Sequence, residues 1–168
     1  MDIRKLKKGD SRKAFASGNA ALDDFFHKYA SQNQFRHFIG TTYVAFDDEV
    51  ESQDILGYAT VSAAQIHAEN LPSGRSLPRY PAPVLRIARL AVSQNWQGRG
   101  VGGFLLAYCM RLGLEMRERV GCVGIITDAK PDAVAFYAKY DFVTLVPPNT
   151  PDETTLMFAW LQGVLDQS

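Results

Sequence analysis

The chain has 168 residues, 46% of them hydrophobic and 21% charged, with a formal net charge of zero. That composition excludes a disordered or low-complexity chain and fits one globular domain over residues 1–168 with a substantial buried core. No apolar run reaches the roughly 18 residues of a membrane span, and the opening MDIRKLKKGD lacks the apolar stretch of a secretory signal, so a cytoplasmic protein is expected.

In chain order, ALDDFFHKYASQNQFRHF has apolar and aromatic residues at helical spacing, with Asn19 as its N-cap. Asp23 and Asp24 fall in its first turn, where the helix dipole accounts for them. TTYVAF, ILGYATVSAAQI and VLRIARLAV then read as strands, β-branched and apolar with partial alternation. NLPSGRSLPRYPAP, before the last of these, reads as a surface loop and not a domain linker. Residues 104–119 make a long helix, CVGIIT a strand, and PDAVAFYAKY a shorter helix with Pro131 suited to its first turn. FVTLV and TTLMFAW close the chain as strands. The expected class is α/β in the mixed α+β sense, a central mixed twisted sheet flanked by helices.

The neutral total hides an asymmetry. Residues 70–114 hold no acid but six arginines, Arg75, Arg79, Arg86, Arg89, Arg99 and Arg111, so this window is +6 and the remainder −6. A local field of that sign holds polyanions even on a neutral protein; any one of these arginines can equally pair with an acid from elsewhere in the chain. Cys109 and Cys122 sit in apolar surroundings without CxxC spacing and read as buried, reduced thiols. His27, His37 and His67 are scattered without ligand spacing, so no metal is expected.

Between the strand ending RLAV and the long helix, residues 97–103 hold four glycines in seven positions. Glycine in a helix interior costs roughly 1 kcal/mol against alanine, so the backbone itself must be wanted bare. Walker A is absent, because no lysine and hydroxyl follow the glycines. Gly98, Gly100 and Gly103 satisfy GxGxxG, but SQNWQ separates them from the strand and no parallel βαβ unit is expected here, against a dinucleotide fold. A turn of bare N–H donors at a helix N-terminus instead suits a pyrophosphate, with Arg99 adding a positive charge.

Gln97, Gly100 and Gly102 form the pattern Q/R-x-x-G-x-G/A, and here the sequence resembles the GNAT family of acetyl-CoA-dependent N-acetyltransferases. The resemblance implies the GNAT fold and a pyrophosphate held by Gln97, Gly98, Arg99, Gly100, Val101, Gly102 and Gly103. It implies pantetheine amides paired with the backbone of Leu90, Ala91 and Val92. AFYAKYDF resembles the family's F-Y-x-x-x-G-F, which places Phe136 at the cofactor and Tyr137 near the thioester sulfur; Asp141 stands where glycine is usual. FASGNAALDDFFHKYASQNQ and VLRIARLAVSQNWQGRGVG extend the likeness to nearly the whole chain, which looks like the GNAT toxins of type II toxin–antitoxin systems, the TacT, AtaT and KacT group. That implies acetylation of the α-amino group of aminoacyl-tRNA, a cognate ribbon-helix-helix antitoxin, and a homodimer.

The chemistry asks little of a base. An α-amino group beside an esterified carboxyl titrates at or below the roughly 7.7 to 8 of a free terminus, so a neutral fraction exists at pH 7. The departing thiolate needs a donor, a role for Tyr137 as general acid with Tyr140 as internal control, and N–H groups near Leu90 to Val92 would hold the developing oxyanion. Arg75, Arg79, Arg86 and Arg89 are the candidates for tRNA phosphates. Two alternatives remain at this level: an acetyltransferase for a small amine or protein N-terminus, for which an acidic acceptor site is expected, and a non-catalytic CoA-binding sensor, which has no need of Tyr137.

Overall fold

The structure, a computed structural model, describes residues 1–49, 54–72, 75, 77–78 and 80–161. Seven strands hydrogen-bond in the order β1-β2-β3-β4-β5-β7-β6, namely β1 (Asp2–Lys5), β2 (Thr41–Phe46), β3 (Ile55–His67), β4 (Pro81–Val92), β5 (Gly124–Ala129), β6 (Val143–Val146) and β7 (Thr155–Trp160). The helices are α1 (Ala20–Asp24), α2 (Ala30–Phe35), α3 (Val101–Arg119) and α4 (Val134–Lys139). The result is a mixed α/β protein. It divides into two compact units, Met1–Ser62 with Ala88–Cys109, and Ala63–Ile87 with Met110–Ser168; β3, β4 and α3 each run from one unit into the other.

In the first unit β1, β2 and β3 pair antiparallel, with Lys5 opposite Tyr43 and Thr41 opposite Val61. The sequence pattern did not reveal β1, because its DIRK is too short and charged to alternate visibly. The expected single helix over 21–38 is instead α1, a wide π-helical turn over Phe25–Tyr29, and α2, which stops at Phe35. The wide turn puts Phe25 and Phe26 into the core yet leaves Tyr29 half exposed. Asn19 does cap α1, its side chain accepting from the Leu22 N–H.

The core of this unit is aromatic. Phe26 stacks on Tyr58 with centroids 4.5 Å apart and planes 9° from parallel, and Phe15 meets both rings edge-on. Leu6, Val44 and Ala91 fill in around them. Each fully buried side chain of this size contributes about 1.5–3 kcal/mol. Burial would strand the Tyr58 hydroxyl, so it donates to the Leu22 carbonyl at 2.6 Å, which ties α1 to the sheet. That burial raises its pKa well above the usual value, against the opposing pull of Arg89.

In the second unit the first half of β4 pairs parallel with β5, from Val84 opposite Gly124 to Ile87 opposite Thr127. β4, α3 and β5 therefore make a parallel strand–helix–strand connection, which corrects the expectation that none follows the glycines. The five residues SQNWQ, three of them in a 3₁₀ turn over Gln94–Trp96, still separate strand from glycines, unlike a dinucleotide turn. β7 pairs antiparallel with both β5 and β6. Val84, Ile126 and Phe158 form the core here, with Trp160 edge-on to Phe158 at 4.9 Å. Strand limits move by a few residues from expectation: PAP opens β4 instead of ending the loop, and β5 starts at Gly124.

Both cysteines are free and buried, and burial pushes the Cys109 thiol up to about 12. Among the described residues no cluster of His, Cys, Asp or Glu could hold a metal ion, and no helix is long and apolar enough to cross a membrane.

Candidate active site

The glycine turn is built by the first unit alone. Gly98 and Gly100 adopt φ of +76° and +86°, which L side chains rarely take without strain. A Cβ built on either would meet nothing within 4 Å, so these glycines are not relieving a crowded contact. Backbone shape and the open space above it are what they supply. α3 begins at once with Val101, so Gly102 and Gly103 lie in its first turn, and the helix starts three residues before the expected Phe104. Phe104 is the first residue whose N–H finds a carbonyl in this turn, that of Gly100 at 3.0 Å. The N–H groups of Val101, Gly102 and Gly103 have no intrahelical acceptor, and the dipole of a 19-residue helix adds to them.

The turn is tied down from behind. The Gln97 side-chain amide donates to the Ser17 carbonyl at 2.8 Å and the Val92 carbonyl at 3.0 Å, while the Gln94 N–H donates to the Ala16 carbonyl. Ser17 in turn gives its N–H and hydroxyl to the Asp23 carboxylate. Asp23 is thus held by the loop before α1, a role its sequence position did not disclose. Arg99 is exposed and lies 4.9 Å over the Trp96 ring.

Gly57 sets how deep α3 begins. A Cβ there would lie 2.9 Å from the Ala91 carbonyl and 3.0 Å from both Val101 and Leu105 side chains, so the bare β3 backbone lets the helix start close against the strand. A lone glycine in a strand pattern is a signal of such an approach, and it went unread in the sequence.

The backbone groups of β4 alternate between its two sides. The Ser93 N–H donates to the Leu56 carbonyl on β3 at 2.8 Å. Because polar backbone groups alternate sides along a strand, Ala91 also faces β3, whereas Leu90 and Val92 face the other way. This bears on the expectation for Leu90 to Val92: the Val92 carbonyl is taken by Gln97, and the Leu90 N–H and C=O and the Val92 N–H are the groups on the side away from β3. Ala88 is exposed in mid-strand on this stretch.

The predicted arginines have separate fates. Arg89 is half-buried and stacks 3.9 Å over the Phe25 ring. Arg86 is paired with Asp128, an acid from outside the acid-free window. Arg75 is exposed and lies 4.7 Å over Trp160. Arg79 falls outside the described residues.

Phe136 and Tyr137 belong to the second unit. Tyr137 lies in α4 and is only 4% exposed, its ring edge-on to Phe136 at 5.1 Å and Phe142 at 5.2 Å, which fixes its orientation. Tyr140 packs on the other side of Phe136 at 5.2 Å and lines a cavity of about 250 Å³ with Met110, Leu114 and Trp160 that Tyr137 does not line. Asp141 takes φ of +67°, and the Phe142 N–H returns to the Tyr137 carbonyl at 3.2 Å. Aspartate thus performs the left-handed cap expected of glycine at this place.

Comparison with known proteins agrees with this geometry. The acetyltransferase (GNAT) domain family matches residues 39–144. The tRNA-acetylating toxin of Mycobacterium tuberculosis is 31% identical over 149 residues, covering 88% of this chain and 86% of its own. A solved tyrosine-to-phenylalanine mutant of KacT superposes with a TM-score of 0.83 at 26% identity, covering 95% of this chain and 94% of that one. AtaT complexed with acetyl-methionyl-tRNAfMet superposes with a TM-score of 0.82 at 26% identity, covering 94% and 93%. With the family matched over more than half its length, on top of the glycine turn, the chain belongs to the GNAT acetyltransferases.

Proposed function

We propose that this protein, acting as one domain, acetylates the α-amino group of aminoacyl-tRNA and so stops translation. In this reading it is a cytoplasmic homodimeric toxin, neutralised by a cognate antitoxin with a ribbon-helix-helix domain. The observation that carries the reading is the turn over residues 97–103, with two positive-φ glycines whose Cβ positions are empty. Likeness to a tRNA-acetylating toxin across most of both chains supports the choice of acceptor.

The turn fits acetyl-CoA, which supplies an activated acetyl group as a thioester. The N–H groups of residues 98–103 and the Arg99 guanidinium hold the pyrophosphate. The outward backbone of Leu90 and Val92 pairs with pantetheine amides, and an N–H of this pair takes the negative charge that develops on the acyl oxygen. The amine attacks in its neutral form, the carbon–nitrogen bond forms as the carbon–sulfur bond breaks, and the amine's surplus proton leaves to water. Tyr137 gives its phenolic proton to the departing sulfur and regains one from water, with Phe136 holding its ring. Arg75, Arg79 and Arg89 are the side chains we assign to tRNA phosphates, joined by Arg86 where a phosphate displaces Asp128.

The test is incubation with labelled acetyl-CoA and total charged tRNA, then digestion to aminoacyl-adenosine. N-acetylated aminoacyl-adenosine is expected. Label found only on small amines or protein N-termini would favour that acceptor class instead. CoA binding without transfer to any acceptor would leave a sensor.

A further inference from the structure

We propose that the N-terminal segment of residues 5–13, with Arg36, forms a second surface for the phosphate backbone of RNA, apart from the arginine window. The proposal rests on the aminoacyl-tRNA reading and adds to it a contact surface that the acid-free window does not contain. Residues 1–13 hold six cations against two acids. Both acids are engaged locally. Asp10 is bound by both terminal nitrogens of Arg4, at 2.7 and 2.9 Å, and by the Lys7 N–H at 2.7 Å, while Asp2 accepts from the Ile3 N–H. Lys5, Lys7, Lys8 and Lys13 are exposed, and none makes an ion pair within 4 Å among the described residues, although the Lys7 charge acts on Asp10. Arg12 keeps a buried nitrogen, Nη1, with no hydrogen-bond partner. A cluster of cations left unneutralised by its own fold is the electrostatic footprint of a polyanion partner.

The cluster extends beyond its own segment. Gln34 donates to the Leu6 carbonyl at 3.1 Å, and Lys8 Nζ stands 5.5 Å from the Phe35 ring centroid, so the segment runs along the end of α2. There Arg36 is exposed, and two residues on Phe38 is 82% exposed with φ of +55°. The left-handed backbone there closes the end of α2, since the Ile39 N–H returns to the Asn33 carbonyl at 3.0 Å, but the ring itself is left in water. Cations beside a bare aromatic face suit a nucleic acid, whose phosphates pair with the charges and whose unpaired bases stack on the ring. A purely acidic peptide without apolar side chains would use the charges and not the ring.

The experiment measures binding of deacylated tRNA to the full chain across a salt series, for the parent and for Lys7→Gln/Lys8→Gln/Lys13→Gln. If each lysine meets one phosphate, the triple variant should flatten the salt dependence by about 2 to 3 in log–log slope and weaken binding at least about tenfold near 0.1 M salt. Acetyl-CoA affinity should stay as in the parent, and the melting curve should move little, because Arg4 still binds Asp10 when the Lys7 charge is gone. The matching Lys→Arg triple variant should restore binding, since charge and not shape is at issue. Unchanged tRNA affinity and slope in the Gln variant overturns the surface, also where that variant proves to have lost an acidic protein partner. Because deacylated tRNA cannot be acetylated, this readout is separate from catalysis: absence of acetyl transfer by the parent counts against the proposed function alone.

Discussion

Gln97 reaches back to the carbonyl of Ser17, 80 residues earlier in the chain, and holds it at 2.8 Å while also holding Val92. The family-pattern glutamine is therefore a strut beneath the glycine turn. Gln97→Ala removes both hydrogen bonds and should cost about 1–2 kcal/mol of stability at roughly 1 kcal/mol each or somewhat less. Gln97→Glu should be worse, since a carboxylate would face two carbonyls. Chemical denaturation of the two variants, with acetyl-CoA affinity measured by calorimetry alongside, checks both claims; a stable Gln97→Glu protein that binds as the parent does would contradict the strut.

Gly100 has room for a methyl group but not the backbone for one. Gly100→Ala should lose about 1–2 kcal/mol from its φ of +86°, with acetyl-CoA affinity falling too as the methyl enters the phosphate space. Gly100→Glu adds a like charge there and should abolish binding in a chain that still folds. Calorimetry on the folded variants decides, and unchanged affinity would remove the pyrophosphate from this turn.

Tyr137→Phe deletes a hydroxyl and leaves the ring between Phe136 and Phe142. Loss of a general acid costs about 10²- to 10⁴-fold in rate, so turnover should drop by that order while acetyl-CoA affinity holds. Tyr140→Phe should have much less effect. Single-turnover acetylation compares the two, and equal rates in both variants would end the assignment.

Asp10 carries a pH dependence. Burial alone would raise its carboxyl, but hydrogen bonds from Arg4 and the Lys7 N–H, with the charge of both side chains, hold it below the usual 3.8. With a folded pKa below the unfolded one, its contribution is present above the ordinary carboxylate range and fades as pH falls through the folded value. Asp10→Asn should cost about 1–3 kcal/mol at neutral pH, and the gap between parent and variant should close in acid. Denaturation curves between pH 7 and pH 2 would show this; a gap constant with pH would place the cost elsewhere.

The parts legible in sequence were those with a local cause. Glycines needing positive φ, a helix cap at Asn19, and β-branched runs such as TTYVAF announce themselves within a few residues, and β2 fell on Thr41–Phe46 as expected. The wide turn at Phe25–Tyr29 did not, because Phe25, Phe26 and Ala30 keep a spacing that a regular helix also satisfies, and only the aromatic pocket around Tyr58 decides between them. Ser17 was invisible for another reason: it meets Gln97 through its carbonyl, which every residue has, and its hydroxyl serves Asp23, six positions on. Arg86 read as part of a basic island because its partner, Asp128, lies 42 positions away.

Gly57 lies on β3, on the far side of no ligand group, yet its missing methyl decides where α3 begins. The amides at that helix start are positioned by an abutment inside the fold, where an added methyl would come within 2.9 Å of the Ala91 carbonyl and 3.0 Å of Val101 and Leu105. Gly57 therefore belongs to a class of sites whose substitution would look structural in place and functional in effect: the helix would be displaced outward along with the donors it presents, and affinity would change with every contacting residue intact. Tuning the anion affinity proposed for this turn does not require touching the turn.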